Sequence, residues 1–134
     1  SNQNRTPDAN GADESCDRYI GQFKTRAVRE LVKAGIDIND QEAYINTLDL
    51  ANQAHPRTFP RFPHRLAEAR AKGLQGLDAI TDARVRSFGE GGEEATGLIG
   101  ICHRENRPVT DEECVAGDQR RRAQAIRAVL ERDR

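Results

Sequence analysis

Methionine and tryptophan are absent from this chain of 134 residues, and only three of its 21 basic residues are lysine. With no methionine the initiator is gone, so the sequence is expected to be a processed chain or an excised segment, with Ser1 and Asn2 as a cloning remnant. Aromatic residues make up 4% of the chain, and Leu, Ile, Val and Phe together fall just under a fifth. So sparse an apolar set goes with disorder when the net charge is large. Here the formal net charge is −1, so half of that signature is missing and a folded domain with a thin core is expected. A thin core is commonly helped by a disulfide, a metal or a partner. No run approaches the roughly 20 apolar residues of a membrane helix. The most apolar stretch is the short 98–102 segment, so no membrane insertion is expected. The near-zero net charge also argues against bulk nucleic-acid binding, which needs a basic excess.

The common catalytic signatures are missing too. There is no Gly-x-x-x-x-Gly-Lys phosphate loop, no Gly-x-Gly-x-x-Gly, no Gly-x-Ser-x-Gly, no His-Glu-x-x-His and no Cys-x-x-Cys. Gly89-Glu90-Gly91-Gly92 is glycine-rich, but no strand pattern precedes it to make a phosphate cradle. Cys102, His103 and Cys114 lack the four ligands and paired spacing of structural zinc. Neither a metal nor a cofactor is expected. The arginine bias fits a GC-rich, bacterial genome; the competing reading is selection for forked contacts to carboxylate or phosphate.

What is present is helical periodicity. Leu66, Gly73, Leu74, Leu77, Ile80, Arg84, Val85 and Phe88 recur every three or four residues. They predict one long central helix over residues 63–88, with Leu74, Leu77 and Ile80 on its buried face and Pro60 and Pro63 at its start. Residues 1–12 read as a flexible leader and residues 13–134 as a single helical domain. A first helix carries Cys16, Tyr19, Ile20, Phe23, Ala27 and Leu31 on one face, with Val28 at its margin, and stops at Gly35, after which Ile36 and Ile38 plug the edge of the core. A second starts at a capping-box-like Asn39 and Glu42, turns Tyr44, Ile45, Leu48 and Ala51 inward, and ends near Gln53, before Pro56. The glycine run ends the central helix. A short helix follows through Leu98, Ile99 and Cys102. Thr110 and Glu113 form a capping box for a last helix. Its inner side carries Val115, Ala125, Ile126, Val129 and Leu130, and its outer side Arg120, Arg121, Arg122 and Arg127. The expected fold is therefore all-α, an irregular bundle of about five helices around a long central one.

Three cysteines leave one thiol unpaired. Cys102 and Cys114 flank a polar helix–loop–helix reversal, and a disulfide between them would contribute about 3 kcal/mol in the loop-entropy account. It would place the protein in the periplasm or outside the cell. The alternative is a cytoplasmic protein with reduced, buried cysteines. Cys16 reads as a small buried hydrophobe.

One segment stands out as a candidate site. Residues 55–65 hold His55, Arg57, Phe59, Arg61, Phe62, His64 and Arg65, stiffened by three prolines and free of any acid. Either Phe59 and Phe62 plug the core while the arginines face outward, or the whole segment is a preformed ligand for a partner's groove. Arg57, Phe59, Arg61, Phe62 and Arg65 are the candidate binding residues. The favoured function is a small non-catalytic helical protein, bacterial and exported, that contacts a protein partner through this loop or through the Arg-rich last helix. The alternative is a toxin- or effector-type nuclease or hydrolase in which His55 and His64 share acid–base work and Arg holds a phosphate. A third reading is a nucleic-acid accessory protein.

Overall fold

The computed structural model describes the backbone from Ala9 onward and side chains from Gly21 onward. Six α-helices follow one another: α1 (Ala9–Lys33), α2 (Gln41–Gln53), α3 (Phe62–Ala71), α4 (Gly76–Arg86), α5 (Thr96–Arg104) and α6 (Asp111–Arg132). A 3₁₀ turn at Phe59–Arg61 leads into α3, and the described residues contain no strand. The all-α expectation holds. Of the expected leader, residues 1–8 lie outside the described residues, and residues 9–12 belong to α1. The side chains of Cys16, Tyr19 and Ile20 also lie outside the described set.

The expected long central helix is two helices. Gly73 adopts φ +99, a left-handed conformation that glycine enters without a Cβ penalty. Its N–H donates to the Arg70 carbonyl at 3.0 Å, and the Leu74 N–H donates to Ala69 at 3.1 Å. This paired bonding is a Schellman stop. The same stop ends α1: Gly35 has φ +76, its N–H bonds Val32 and the Ile36 N–H bonds Leu31, both at 3.0 Å. Ile36 is buried beside the stop, but Ile38 is exposed and does not plug the core.

The chain folds back at Gly73, so α3 packs against α4 more extensively than any other pair of elements, and α6 and α2 cover α4 further. From Ala79 to Phe88 every residue of this segment except Asp82 is buried. Ile80, Ala83 and Phe88 join Leu31, Leu50, Phe59, Phe62, Leu66 and Val115 in one hydrophobic core. Leu74 and Leu77 sit at its edge, half-buried. They flank the corner where α3 ends and α4 begins.

The largest fully buried side chain is an arginine, Arg84, with 0% exposure. Its Nε donates to Gln119 Oε1 at 2.8 Å and its Nη1 to Asn46 Oδ1 at 2.7 Å. Its Nη2 donates to Asp49 Oδ2 at 2.5 Å and to Gln53 Oε1 at 3.0 Å. Burial pushes the pKa of Arg84 down and the Asp49 hydrogen bond pulls it back; guanidinium remains charged in proteins.

This cation explains why α2 is rotated from its expected face. Asn46, Asp49 and Gln53 point at Arg84, so Ala43, Asn46, Thr47 and Leu50 are the buried residues. Ile45 turns out to solvent, and Tyr44, Leu48 and Ala51 are half-buried. The cap of α2 is also displaced by one residue: Asp40, not Asn39, accepts the Ala43 N–H at 3.0 Å. Glu42 instead grips Arg127 of α6 through two bonds of 2.8 Å.

The capping box of α6 is present as expected, with Thr110 and Glu113 exchanging bonds of 3.1 and 2.8 Å. Its buried residues are Cys114, Val115, Gln119 and Ala123. Ala125 and Val129 are exposed, because the last turns of α6 run past the end of the core. The Sγ atoms of Cys102 and Cys114 are 2.07 Å apart, so the pair sits at disulfide distance and links α5 to α6.

Two stability outcomes follow. Arg84→Ala orphans the acceptors of three side chains and part of Asp49's charge, and should cost about 3–5 kcal/mol, the range for breaking a buried ion pair. Ile80→Ala should cost about 2–5 kcal/mol, while Leu77→Ala, at the half-buried edge, should cost clearly less. Urea unfolding of the three variants checks both, and a Leu77 effect as large as that of Ile80 would contradict the corner at Gly73.

Candidate functional site

The proline segment is folded onto the body by its aromatic residues. Phe59 is 2% exposed and Phe62 0%. Phe59 meets Phe23 of α1 edge-to-face, with ring centroids 5.5 Å apart. Both rings are therefore core and present almost no surface to a partner. Pro60 and Pro63 are buried beside them.

The arginines face outward but do not stand alone. Arg61 Nη1 donates to the Ser87 carbonyl at 3.1 Å and to Glu94 at 2.9 Å. Arg57 lies 3.4 Å from the same carboxylate, and Arg65 reaches Glu68 at 3.1 Å and Glu90 at 2.8 Å. A loop with no acid of its own is thus matched by the acids around the glycine run. Gly92 lets that run approach: its φ is +77, and a Cβ there would stand 3.1 Å from Val115 Cγ1. The Arg61 hydrogen bond holds the Glu94 carboxyl below its ordinary range; partial burial opposes this and Arg57 adds to it.

His55 and His64 go to different places. His55 is exposed, and its Nδ1 accepts the Arg57 N–H at 3.1 Å. His64 lies on α3 with its Nε2 2.8 Å from Glu30 Oε1 of α1. Glu30 is buried, and its pKa is lowered chiefly by that histidine, against its own desolvation, with help from Arg26 and Lys33. A carboxylate can only accept, so Nε2 carries the proton. The partners of His64 tie α3 to α1 and leave it no part in the cleft around His55.

That cleft, of about 360 Å³, takes in two surface residues of the sequence-derived site, His55 and Arg57. His55, Arg57 and Thr58 form one wall. Thr96, Gly97 and Leu98, the first turn of α5, form a second. Asp118 and Arg122 of α6 form a third, with Phe88, Ala54 and Ala95 among the apolar residues between them. Arg122 belongs to the Arg-rich helix that was an alternative binding surface to the loop. The fold brings one arginine from each surface, Arg57 and Arg122, into the lining of one cleft, while Arg120 pairs with Asp78 and Arg127 with Glu42 away from it. Arg61 and Arg65 stand outside it. Gln53 and Arg122 also tie the cleft to the core network, because Gln53 accepts from Arg84 and Arg122 Nη1 lies 3.3 Å from Asp49 Oδ1. Sequence periodicity alone could not have found Gln53 and Asp118; both lie on helix faces that read as solvated.

Cys102 and Cys114 face each other, and His103 pairs with Asp111 at 2.6 Å. Among the described residues no group of three or more His, Cys, Asp or Glu side chains is arranged to hold a metal ion. Nor is any helix among them long and apolar enough to cross a membrane. Comparison of the chain with protein-family models, with curated proteins and with solved structures finds no match.

The carboxylates set the acid response. Glu30, Glu68 and Glu94 all have folded-state pKa values below the ordinary glutamate value. Their contribution is therefore complete above about pH 5 and is lost as pH falls through the lowered values. Unfolding free energy should stay level on this account above that pH and decline below it. Glu30→Gln should flatten the decline more than Glu94→Gln, because Glu30 is the more buried of the two. Urea midpoints measured from neutral to acid pH check the order.

Proposed function

We propose that this is a small, non-catalytic helical binding protein that captures a protein partner in the cleft between the proline loop and the last helix. The observation that carries the reading is the composition of that cleft. Arg57 and Arg122 line it from the proline loop and from α6, and half-buried Leu98 and Ala54 supply apolar surface between them. Forked cations at a rim around an apolar centre are what protein-binding hot spots use. The stiff, core-anchored loop adds little ordering cost on docking. His55 enters the cleft without a second imidazole, so the loop offers no His–His acid–base pair there. The cystine pair between α5 and α6 supports an oxidising compartment, periplasmic or extracellular, as the place of action.

Arg57 is the residue to test, because it is 56% exposed and reaches Glu94 only at 3.4 Å, so its loss leaves the core intact. Protein fixed to a resin is exposed to the periplasmic and secreted fractions of its source, and bound chains are identified and titrated. Arg57→Glu and Arg122→Gln should each weaken a specific partner roughly tenfold or more, mainly through association rate and with strong salt dependence. His55→Gln should weaken binding far less than either arginine change. Purified protein is also incubated with tRNA and single-stranded DNA, with and without divalent metal. Cleavage that disappears in His55→Gln would replace the binding reading with a hydrolytic one. Partner capture indifferent to both arginines would remove the cleft as its site.

A further inference from the structure

Every described helix except α5 packs against at least two other elements; α5 packs on α6 alone. Within α5 only Cys102 is buried. Leu98 and Ile99 are half-buried, whereas Thr96, Gly97, Ile101, His103 and Arg104 are exposed. No side chain caps its first turn. The chain on both sides turns through left-handed residues, Gly89 and Gly92 before the helix and Asn106 at φ 51 after it. Beside the packing of Leu98 and Ile99 at the edge of the core, the Cys102–Cys114 pair is the one covalent tie α5 has. The Arg84 network that joins α2, α4 and α6 draws no residue from α5.

We propose that α5 is a lid forming one wall of the cleft, latched by the Cys102–Cys114 disulfide and released by a dithiol reductant. A thiolate of the reductant attacks one cystine sulfur, and the other cysteine leaves as a thiolate that takes up a proton. The second thiol of the reductant then displaces the remaining cysteine. The reductant ends as a disulfide and the protein as two thiols, with two electrons and two protons transferred. Release takes Thr96, Gly97 and Leu98 away from the cleft while α2, α4 and α6 stay joined. The effect on binding rests on the function proposed above; the release of α5 does not.

Amide hydrogen exchange tests the latch directly. Three samples are compared: the oxidised protein, the same protein in dithiothreitol, and the Cys102→Ser/Cys114→Ser double variant without reductant. In the last two, amides of α5 should exchange about 30-fold faster or more, as for a locally opening unit. Those of α2, α4 and the α6 segment beyond Val115 should keep their oxidised rates. Unchanged α5 amides in both would overturn the proposal. So would acceleration of α2 and α4 in step with α5, which would make the bond a staple of the whole fold. Partner capture is measured on the same samples. Release of α5 with undiminished capture would refute its place as a wall of the site. Capture that ignores Arg57→Glu in oxidised protein would instead refute the binding reading and leave the latch standing.

Discussion

A guanidinium taken out of water must be given acceptors, and the acceptors of Arg84 decide where three helices lie. Asn46, Asp49 and Gln53 come from α2 and Gln119 from α6, while the cation itself comes from α4. Each is held in place by a further bond or charge. Asn46 Nδ2 donates to the Glu42 carbonyl, Gln119 Nε2 to Asp118, and Arg122 shares Asp49. Desolvating a charge costs several kcal/mol, which is recovered only when the geometry satisfies it throughout. The value of such a cluster lies less in net stability than in what it forbids. A rotation of α2 by one residue would bury Tyr44 or Ile45 well enough and leave Arg84 with Gln119 alone. Packing alone tolerates such slips in a core this sparse.

Charge pairing also organises the surface near the cleft. The proline segment contributes only cations and the glycine segment only anions, and they meet at Glu94 and Glu90. Exposed pairs contribute little singly. Here they sit on a loop already anchored by Phe59 and Phe62, so their work is to set the direction of Arg57 and to keep Glu94 at the mouth of the cleft. Arginine suits this arrangement better than lysine, because one fork reaches a carbonyl and a carboxylate together, as Arg61 does.

Apolar spacing made the all-α class readable, the Thr110 and Glu113 signature gave the capping box, and the reversal between two helices gave the pairing of Cys102 with Cys114. Less readable were features carried by polar residues. Gly35 and Gly73 stop their helices by the same bonds, and each follows a lysine and an alanine and precedes Ile or Leu. At Gly35 the apolar period lapses, so the stop is legible. At Gly73 the period continues through Leu74 and Leu77 and hides it. The stripe Asn46, Asp49, Gln53 has helical spacing as regular as any apolar one, but a reading tuned to hydrophobicity places it on the outside. Arg84 fell on the inward period of its helix, yet only its acceptors, distant in sequence, make a buried arginine tolerable. The split between His55 and His64 was likewise invisible, since it depends on Glu30 of α1 reaching α3.

The span of the Arg84 cluster has a kinetic meaning. The α3–α4 hairpin and the α5–α6 pair join neighbours in sequence and close short loops, the kind of contact that forms early. The Arg84 cluster needs residues 46, 84 and 119 in one place and fully dry. A shell that needs such distant residues and full desolvation is expected to close late, where native interactions act on the rate of leaving rather than of arriving. The buried guanidinium therefore works as a brake on unfolding: the assembled protein must rehydrate a cation before its helices can separate. For a chain with so little apolar surface, persistence of the folded state would then come from the slowness of that step more than from the depth of its free-energy minimum.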